Sequence, residues 1–403
     1  MWYNGFVSVL CVKYRLYPSR SQETALGRAL ETCRLVYNSL LNERAFLYET
    51  TGRSISQYAQ EKHFTQWKDV HPELKEVHAH LLQNAALRVN LAYSAFFRRF
   101  RSGEKPGYPR FKGKGQYDSL GFKEWGAGGI CFRNGNLRVS KIGEIKGRFH
   151  RDLPGTPKTA TIRRQAGKWF VCIACECEPE ALPVTNEAVG IDVGLNQFAA
   201  LSDCTFIGNP RFFRRDEAAL AKAGRKQAKT PKRSRARRKA NKVLSRIHER
   251  IRNRRQDFCH QNSRRIVNQF GVIAVEKLNV KNMSRSPAPK QDEATGEYLP
   301  NGSAAKAGLN KSISDASWSF FRQCLAYKAA SAGRVYMEVN PAYTSQDCHA
   351  CGNRAKKKLS ERWHNCPICG ASLDRDTNAA INILKLCGTT QSGRHAGQEA
   401  VPL

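Results

Sequence analysis

Two cysteine pairs constrain this chain more than any other feature of its 403 residues. Cys348-His349-Ala350-Cys351 and Cys366-Pro367-Ile368-Cys369 are each followed by glycine, with 14 residues between Cys351 and Cys366. In such a knuckle both thiolates turn toward one side, and the glycine takes up a left-handed backbone. The spacing predicts a zinc ribbon, with Cys348, Cys351, Cys366 and Cys369 around one tetrahedral Zn2+. Four sulfurs fill the shell, so His349 and His364 are expected outside it. The ion would be structural, because no coordination position stays open. The other ten cysteines have no framework spacing, as suits a reducing cytosol. Cys172 and Cys175 also form a CxxC, but in an alternating strand pattern. There, positions i and i+3 face opposite sides, which predicts packing and not metal binding.

Charge is the next constraint. Sixty-seven Lys and Arg against 34 Asp and Glu give a net charge of +33. A hydrophobic content of 41% is enough for real cores and excludes a disordered chain. No apolar run approaches the ~18 residues of a membrane span. The opening residues read as a strand and not as a signal peptide. A surplus of this size points to a polyanionic partner, most often nucleic acid. It is densest from 220 to 255, with 16 Lys or Arg and one acid, Glu249. Val243, Leu244, Ile247 and Ile251 keep a helical stripe there, predicting a basic helical pair over 211–265 laid along phosphates, with Arg235, Arg237, Arg238 and Lys239 as contacts. A second basic stretch, KPGYPRFK (105–112), combines a stiff Pro/Gly backbone with Lys105, Arg110 and Lys112. Tyr108 is placed there for stacking.

Periodicity sets the order of the elements. Residues 6–17 read as a strand. From 21 to about 101 the pattern is helical, with one stripe of Leu26, Leu30, Cys33, Val36, Tyr37, Leu40 and Leu41, and another of Leu81, Leu82, Ala85, Leu87, Leu91 and Phe96. Residues 128–180 read as β, with hairpin turns at Asn134-Gly135 and Ala166-Gly167. After Pro183 the composition turns α/β. Strands are expected at 189–202, 270–280 and 333–340, a helix at 312–332, a flexible loop at 281–308, and a disordered tail at 388–403.

Acids in apolar strands carry the remaining signal. Asp192 lies in VGIDVGLN, and Glu276 ends GVIAVE. A buried carboxylate is costly unless it is paired or on a metal. Asp374 and Asp376 lie where LDRDTNAAINIL opens a helix, and a capping role suits Asp374. Three acids converging from separate elements would suit two Mg2+ ions for phosphodiester hydrolysis.

Taken together, GIDVGLNQFAALSD, VEKLNVKNM, NKSISDASWSFFRQCLAYKA, the two CxxC pairs and LDRDTNAAINIL resemble the TnpB family of transposon-associated proteins, relatives of type V CRISPR effectors. YRLYPSRSQ, CRLVYNSLLNER and KPGYPRFK resemble that family's opening segments. The resemblance implies a multidomain α+β and α/β chain. A wedge β-barrel (1–18 and 104–183) would be interrupted by a helical recognition bundle (19–103). An RNase H-like, RuvC-type nuclease domain (184–343 and 373–387) would carry the basic insert 211–265 and an inserted zinc ribbon (344–372), followed by a tail (388–403). Carried over by motif, the catalytic, Mg2+-holding triad is Asp192, Glu276 and Asp376. The third acid is the one two residues before the Asn of DRDTN. Implied partners are an element-encoded guide RNA and double-stranded DNA cut beside a short transposon-adjacent motif. One monomer per RNA is expected, in the prokaryotic cytosol at the nucleoid, with no membrane. Three alternatives stand beside this: a nuclease-inactive guided repressor, a strand-transfer transposase, and a zinc-ribbon RNA-binding protein without catalysis.

Overall fold

The computed structural model describes residues 8–126, 128–178, 181–358 and 360–392. The chain divides into two compact units after Glu178. The first contains β1 (Ser8–Tyr17), α1 (Arg20–Thr51), α2 (Gln57–Val70), α3 (Ala79–Arg101), β2 (Ser119–Phe122), β3 (Ile130–Arg133), β4 (Asn136–Val139), β5 (Gly143–Arg148), β6 (Thr156–Gln165) and β7 (Lys168–Cys177).

Helix α1 starts where Pro18 ends β1. Ser19 and Gln22 form a reciprocal capping box, each side chain accepting from the other's backbone N–H, and Gly52 ends the helix at φ 68°. Its whole expected stripe is buried. On α3, Leu81, Leu82 and Ala85 are buried as expected, but Leu91 is exposed, and Ala86 and Val89 take the inner face.

The seven strands form one antiparallel sheet in the order β2-β6-β7-β1-β5-β4-β3. It is nearly closed: past β2, the Trp125 N–H donates to the Lys158 carbonyl at 2.7 Å, and Gly126 bridges Ile130 of β3. Both hairpin turns fall where the dipeptides place them. Asn134 and Gly135 have φ 49° and 69°, Ala166 and Gly167 48° and 75°, the backbone that a two-residue turn between twisted strands requires. β7 alternates half-buried and buried at every residue. Cys172 and Cys175 therefore lie on opposite faces.

The second unit contains β8 (Ala188–Val193), β9 (Gln197–Leu201), β10 (Phe206–Gly208), α4 (Phe212–Ala228), α5 (Arg235–Gln269), β11 (Val272–Glu276), α6 (Val280–Met283), β12 (Lys290–Gln291), β13 (Tyr298–Leu299), α7 (Ser303–Ala316), α8 (Trp318–Ser331), β14 (Val335–Val339), β15 (Trp363–Asn365), β16 (Ser372–Asp374) and α9 (Arg375–Ser392). Its main sheet runs β10-β9-β8-β11-β14. The first three strands are antiparallel, and β11 runs parallel to both β8 and β14. Parallel neighbours need long crossovers, and the helical segments α4–α5 and α7–α8 lie in those connections.

Several expectations change. The strand expected at 189–202 is two antiparallel strands, β8 and β9, paired from Ile191↔Leu201 to Val193↔Ala199. The helix expected at 312–332 is two helices, α7 and α8, because Ser317 takes φ 57° and breaks the ladder. The loop expected at 281–308 contains the β12–β13 hairpin. Asp292 Oδ1 closes its turn by accepting from the N–H groups of Ala294 and Thr295. Helix α9 continues through Ser392, past the expected start of the tail at 388, while 393–403 lies outside the described residues. No helix among the described residues is long and apolar enough to cross a membrane.

Candidate functional site

Helix α9 lies directly against β8, and Gly190 makes this possible. A Cβ at that position would collide with the Ala380 carbonyl and press on the Leu384 backbone. The close approach brings the start of α9, with Asp376, to the strand that carries Asp192. Glu276 ends β11, which pairs with β8 up to Val275↔Ile191. Asp192, Glu276 and Asp376 are thus delivered to one region by two adjacent parallel strands and one helix start.

Electrostatics show the convergence. Asp192 is half-buried as a residue, and the protein packed around its carboxyl desolvates it enough to raise its pKa well above the usual carboxylate range. The negative charges of Glu276 and Asp376 raise it further, and Arg375 opposes them. Glu276 is buried and also shifted upward, chiefly by desolvation; a 2.7 Å hydrogen bond from the Thr344 hydroxyl works against this. Asp376 accepts from the Arg375 guanidinium at 3.3 Å and lies 4.0 Å from that of Arg362. Asp374 is the helix cap that its position suggests: its Oδ1 accepts from the N–H groups of Asp376 and Thr377 at 2.9 and 3.1 Å. Carboxylates are the donors that hard divalent cations take, but the ligand atoms of these three acids do not all lie within the 4.8 Å spacing that the ribbon cysteines meet.

The four ribbon cysteines are tighter. Among the described residues they are the group of His, Cys, Asp or Glu whose ligand atoms all lie within 4.8 Å of one another. Tetrahedral zinc with ~2.3 Å bonds places sulfurs about 3.8 Å apart. The Cys348–Cys369 and Cys351–Cys366 sulfurs stand 3.6 and 3.5 Å apart. Gly352 and Gly370 take φ 75° and 72°, the left-handed turn the knuckles need. Backbone N–H groups of Cys369 and Ile368 help push the Cys366 thiol down to about 6, while hydrogen bonding among the four sulfurs pushes the Cys369 thiol up to about 12. The four cysteines fit zinc. The His349 ring faces the Asn378 side chain at 3.2 Å, and His364 is buried on β15.

The nucleic-acid candidates divide. Arg235, Arg238 and Lys239 are exposed on the first turns of α5. Arg237 is committed elsewhere: its guanidinium donates to the Gln227 and Thr230 carbonyls, tying the end of α4. The excess charge is partly balanced by acids outside the 220–255 window. Asp216 on α4 pairs with Arg250 and Arg254, and Asp315 on α7 pairs with Arg255 while accepting from the Phe213 N–H. In the first unit Lys105, Tyr108 and Arg110 are exposed. Tyr108 hydrogen-bonds the Tyr93 hydroxyl at 3.0 Å and packs edge-on against Phe96. The backbone at Lys112 is pinned to α1 by Asn38 and Arg34.

Sequence reasoning missed Thr344, Asn378 and Asn382, which hold the acids' surroundings in place. Only the DRDTN motif offered a signal, and there the Asn served merely to locate Asp376.

The comparisons define the class first. A family model described as "Probable transposase" matches residues 171–287, a "Cas12f1-like, TNB domain" matches 318–383, and a "Helix-turn-helix domain" matches 10–53. A protein of Streptomyces pristinaespiralis named "Putative RNA-guided DNA endonuclease" is 36% identical, over 92% of this chain and 88% of its own. "Putative RNA-guided DNA endonuclease InsQ" of Escherichia coli K12 is 32% identical, over 96% of both chains. A solved structure of the mini-RNA-guided endonuclease CRISPR-Cas_phi3 aligns with TM-score 0.46 and 11% identity, over 95% of this chain and 92% of that one. The chain belongs to the TnpB family that its motifs suggested.

Proposed function

We propose that this protein is a transposon-encoded, RNA-guided DNA endonuclease whose second unit is an RNase H-like, RuvC-type nuclease. The observation that carries the reading is the gathering of Asp192, Glu276 and Asp376, with the Asp192 carboxyl raised first by burial and then by the charges of the other two. A fold that brings such charges together at a cost in stability has a use for them. The sheet order β10-β9-β8-β11-β14, with acids on β8, β11 and the helix packed across them, supports the same assignment.

Asp192, Glu276 and Asp376 would hold divalent cations, Mg2+ in the cell and most simply two. Bound there, such ions supply Lewis-acid activation of water and stabilisation of the leaving oxygen. The chain's own residues shape that site. Thr344 fixes one Glu276 oxygen, and Arg375 holds Asp376 from the side. Asp374, occupied in capping, sets the helix start without being a ligand. The ribbon zinc is structural. Lys and Arg of both units contact guide RNA and target DNA through phosphates, leaving sequence choice to base pairing. Lys105, Tyr108, Arg110, Arg235, Arg238 and Lys239 are the contacts proposed, with one chain per RNA, working at the cytoplasmic nucleoid.

The test is direct. The protein expressed with its flanking DNA is purified, its RNA sequenced, and a plasmid matching that guide incubated with Mg2+. Guide-dependent double-strand cleavage supports the reading. Tight guided binding without cleavage establishes a repressor, and joined strand-transfer products establish a transposase.

For the basic helix, the variant carrying Arg235→Gln, Arg238→Gln and Lys239→Gln is expected to bind nucleic acid more weakly. Its log–log salt dependence should be shallower by about 0.7–0.9 for each phosphate left without its cation. A slope equal to wild type, measured by filter binding across a salt series, would reduce these side chains to solvated surface. Arg237 is left intact because its replacement would loosen the α4–α5 turn.

A further inference from the structure

The segment between β14 and the first zinc knuckle is clamped to α9 by two asparagines. Asn378, fully buried, uses both ends of its amide. Its Oδ1 accepts from the His349 N–H at 2.9 Å, inside the Cys348–Cys351 knuckle, and its Nδ2 donates to the Asp347 carbonyl at 2.8 Å. One turn along the same face, Asn382 Nδ2 donates to the carbonyls of Asp347 and Thr344, at 2.7 and 2.9 Å. Thr344, itself buried, donates its hydroxyl to Glu276 Oε1 at 2.7 Å. A continuous path of hydrogen bonds therefore runs from the first knuckle through α9 and Thr344 to Glu276. Asp376 lies two residues before Asn378 on the same helix.

No other side chain of this size replaces an asparagine here. The clamp needs an acceptor for His349 and a donor for Asp347 from one planar group; aspartate lacks the donor, and an apolar residue leaves backbone groups buried and unpaired.

We propose that Asn378 and Asn382 are positioning residues that latch the first zinc knuckle to α9 and so hold Thr344 against Glu276. Affinity for divalent cations at the acids then depends on the ribbon being locked in place. This rests on reading the three acids as the cation site. Residues that orient a ligand's second oxygen commonly change metal affinity by about 10–100-fold when removed.

The experiment titrates Mn2+ into the full chain with its co-purified RNA, followed by the electron paramagnetic resonance signal of free Mn2+. Zinc content and target-DNA affinity are measured on the same samples. Asn378→Ala, Asn382→Ala and Thr344→Val are each expected to weaken Mn2+ binding about tenfold or more. Zinc should stay at one per chain and target affinity within about twofold of wild type, because four thiolates and the basic surfaces are untouched. Thr344→Ser keeps the hydroxyl and should restore wild-type Mn2+ affinity, which a role in packing alone would not do. If Asn378→Ala fails to fold, the Thr344→Val and Thr344→Ser pair decides the matter. Wild-type Mn2+ affinity in the Asn382→Ala and Thr344→Val variants, while Asp192→Ala has lost the site, overturns the latch and leaves the acids' role standing. Equal Mn2+ binding by wild type and Asp192→Ala overturns the acids' role and the latch with it.

Discussion

Replacing Asp192 with asparagine is expected to abolish DNA cleavage while making the metal-free protein more stable. The two effects have one cause. The Asp192 carboxyl is desolvated and faces Glu276 and Asp376, so the folded protein resists its ionisation. A carboxyl whose pKa is raised on folding favours the fold where it is protonated, at acid pH. That contribution is lost as pH rises through its folded-state value. At neutral pH the raised carboxyl costs the fold, through repulsion where it is ionised or through the proton it must take up where it is not, and asparagine removes that cost at nearly constant shape. The variant's melting midpoint should rise, by about 2–4 °C for each kcal/mol relieved in a body of this size. The gain should shrink toward acid pH, where wild-type Asp192 is neutral as well. Saturating Mg2+ should reverse the order by stabilising wild type more than the variant. Cleavage should fall by at least ~10³-fold, since a lost ligand withdraws several kcal/mol of transition-state stabilisation. Guide and target binding should persist, because affinity resides in the cationic surfaces. Calorimetry from pH 4 to 8, with and without Mg2+, alongside a cleavage assay, checks both signs. A variant less stable than wild type at pH 7 without metal would show that the carboxylate is satisfied by its surroundings and carries no repulsion for a cation to relieve.

Replacing Cys348 or Cys366 with serine is expected to release the zinc and unfold residues from about 344 to 372. The ribbon has little apolar core of its own. Trp363 and Ile368 are exposed, and the regular structure among its described residues is the β15–β16 hairpin and one Asp347–Arg354 bridge. Structural zinc supplies on the order of 10–16 kcal/mol in small metal-dependent folds, far more than a three-residue ladder could. Metal analysis should fall from one zinc per chain to well below one, and limited proteolysis should cut between 344 and 372. Cys172→Ser is the control and should keep its zinc, since Cys172 lies in β7 of the first unit, outside the ribbon. Undiminished zinc in Cys348→Ser and Cys366→Ser would exclude the four-sulfur site.

Much of this was legible because it depends on short-range rules. Ser19 and Gln22 cap α1, Asn134-Gly135 and Ala166-Gly167 turn hairpins, and two CxxCG knuckles fold toward one point, all within a few residues of backbone. Asp192 and Glu276 could be singled out because a charge within a buried strand is costly wherever the strand lies. The capping role of Asp374 was legible in the motif that opens α9. What sequence could not reveal is set by groups far apart along the chain. Asp216 and Asp315 lie outside the basic run, yet pairing across helices balances its arginines. The same folding removes Arg237 from the set of free cations. Ser317 carries no turn signature, yet its left-handed backbone at φ 57° separates α7 from α8. By itself the sequence determined which residues could be ligands, caps and turns, because those roles follow from side-chain chemistry and local geometry. Tertiary structure alone decided that Thr344, Asn378 and Asn382 join the ribbon to the acids, because a hydrogen bond between residues 276 and 344 exists only once β11, β14 and α9 have packed together.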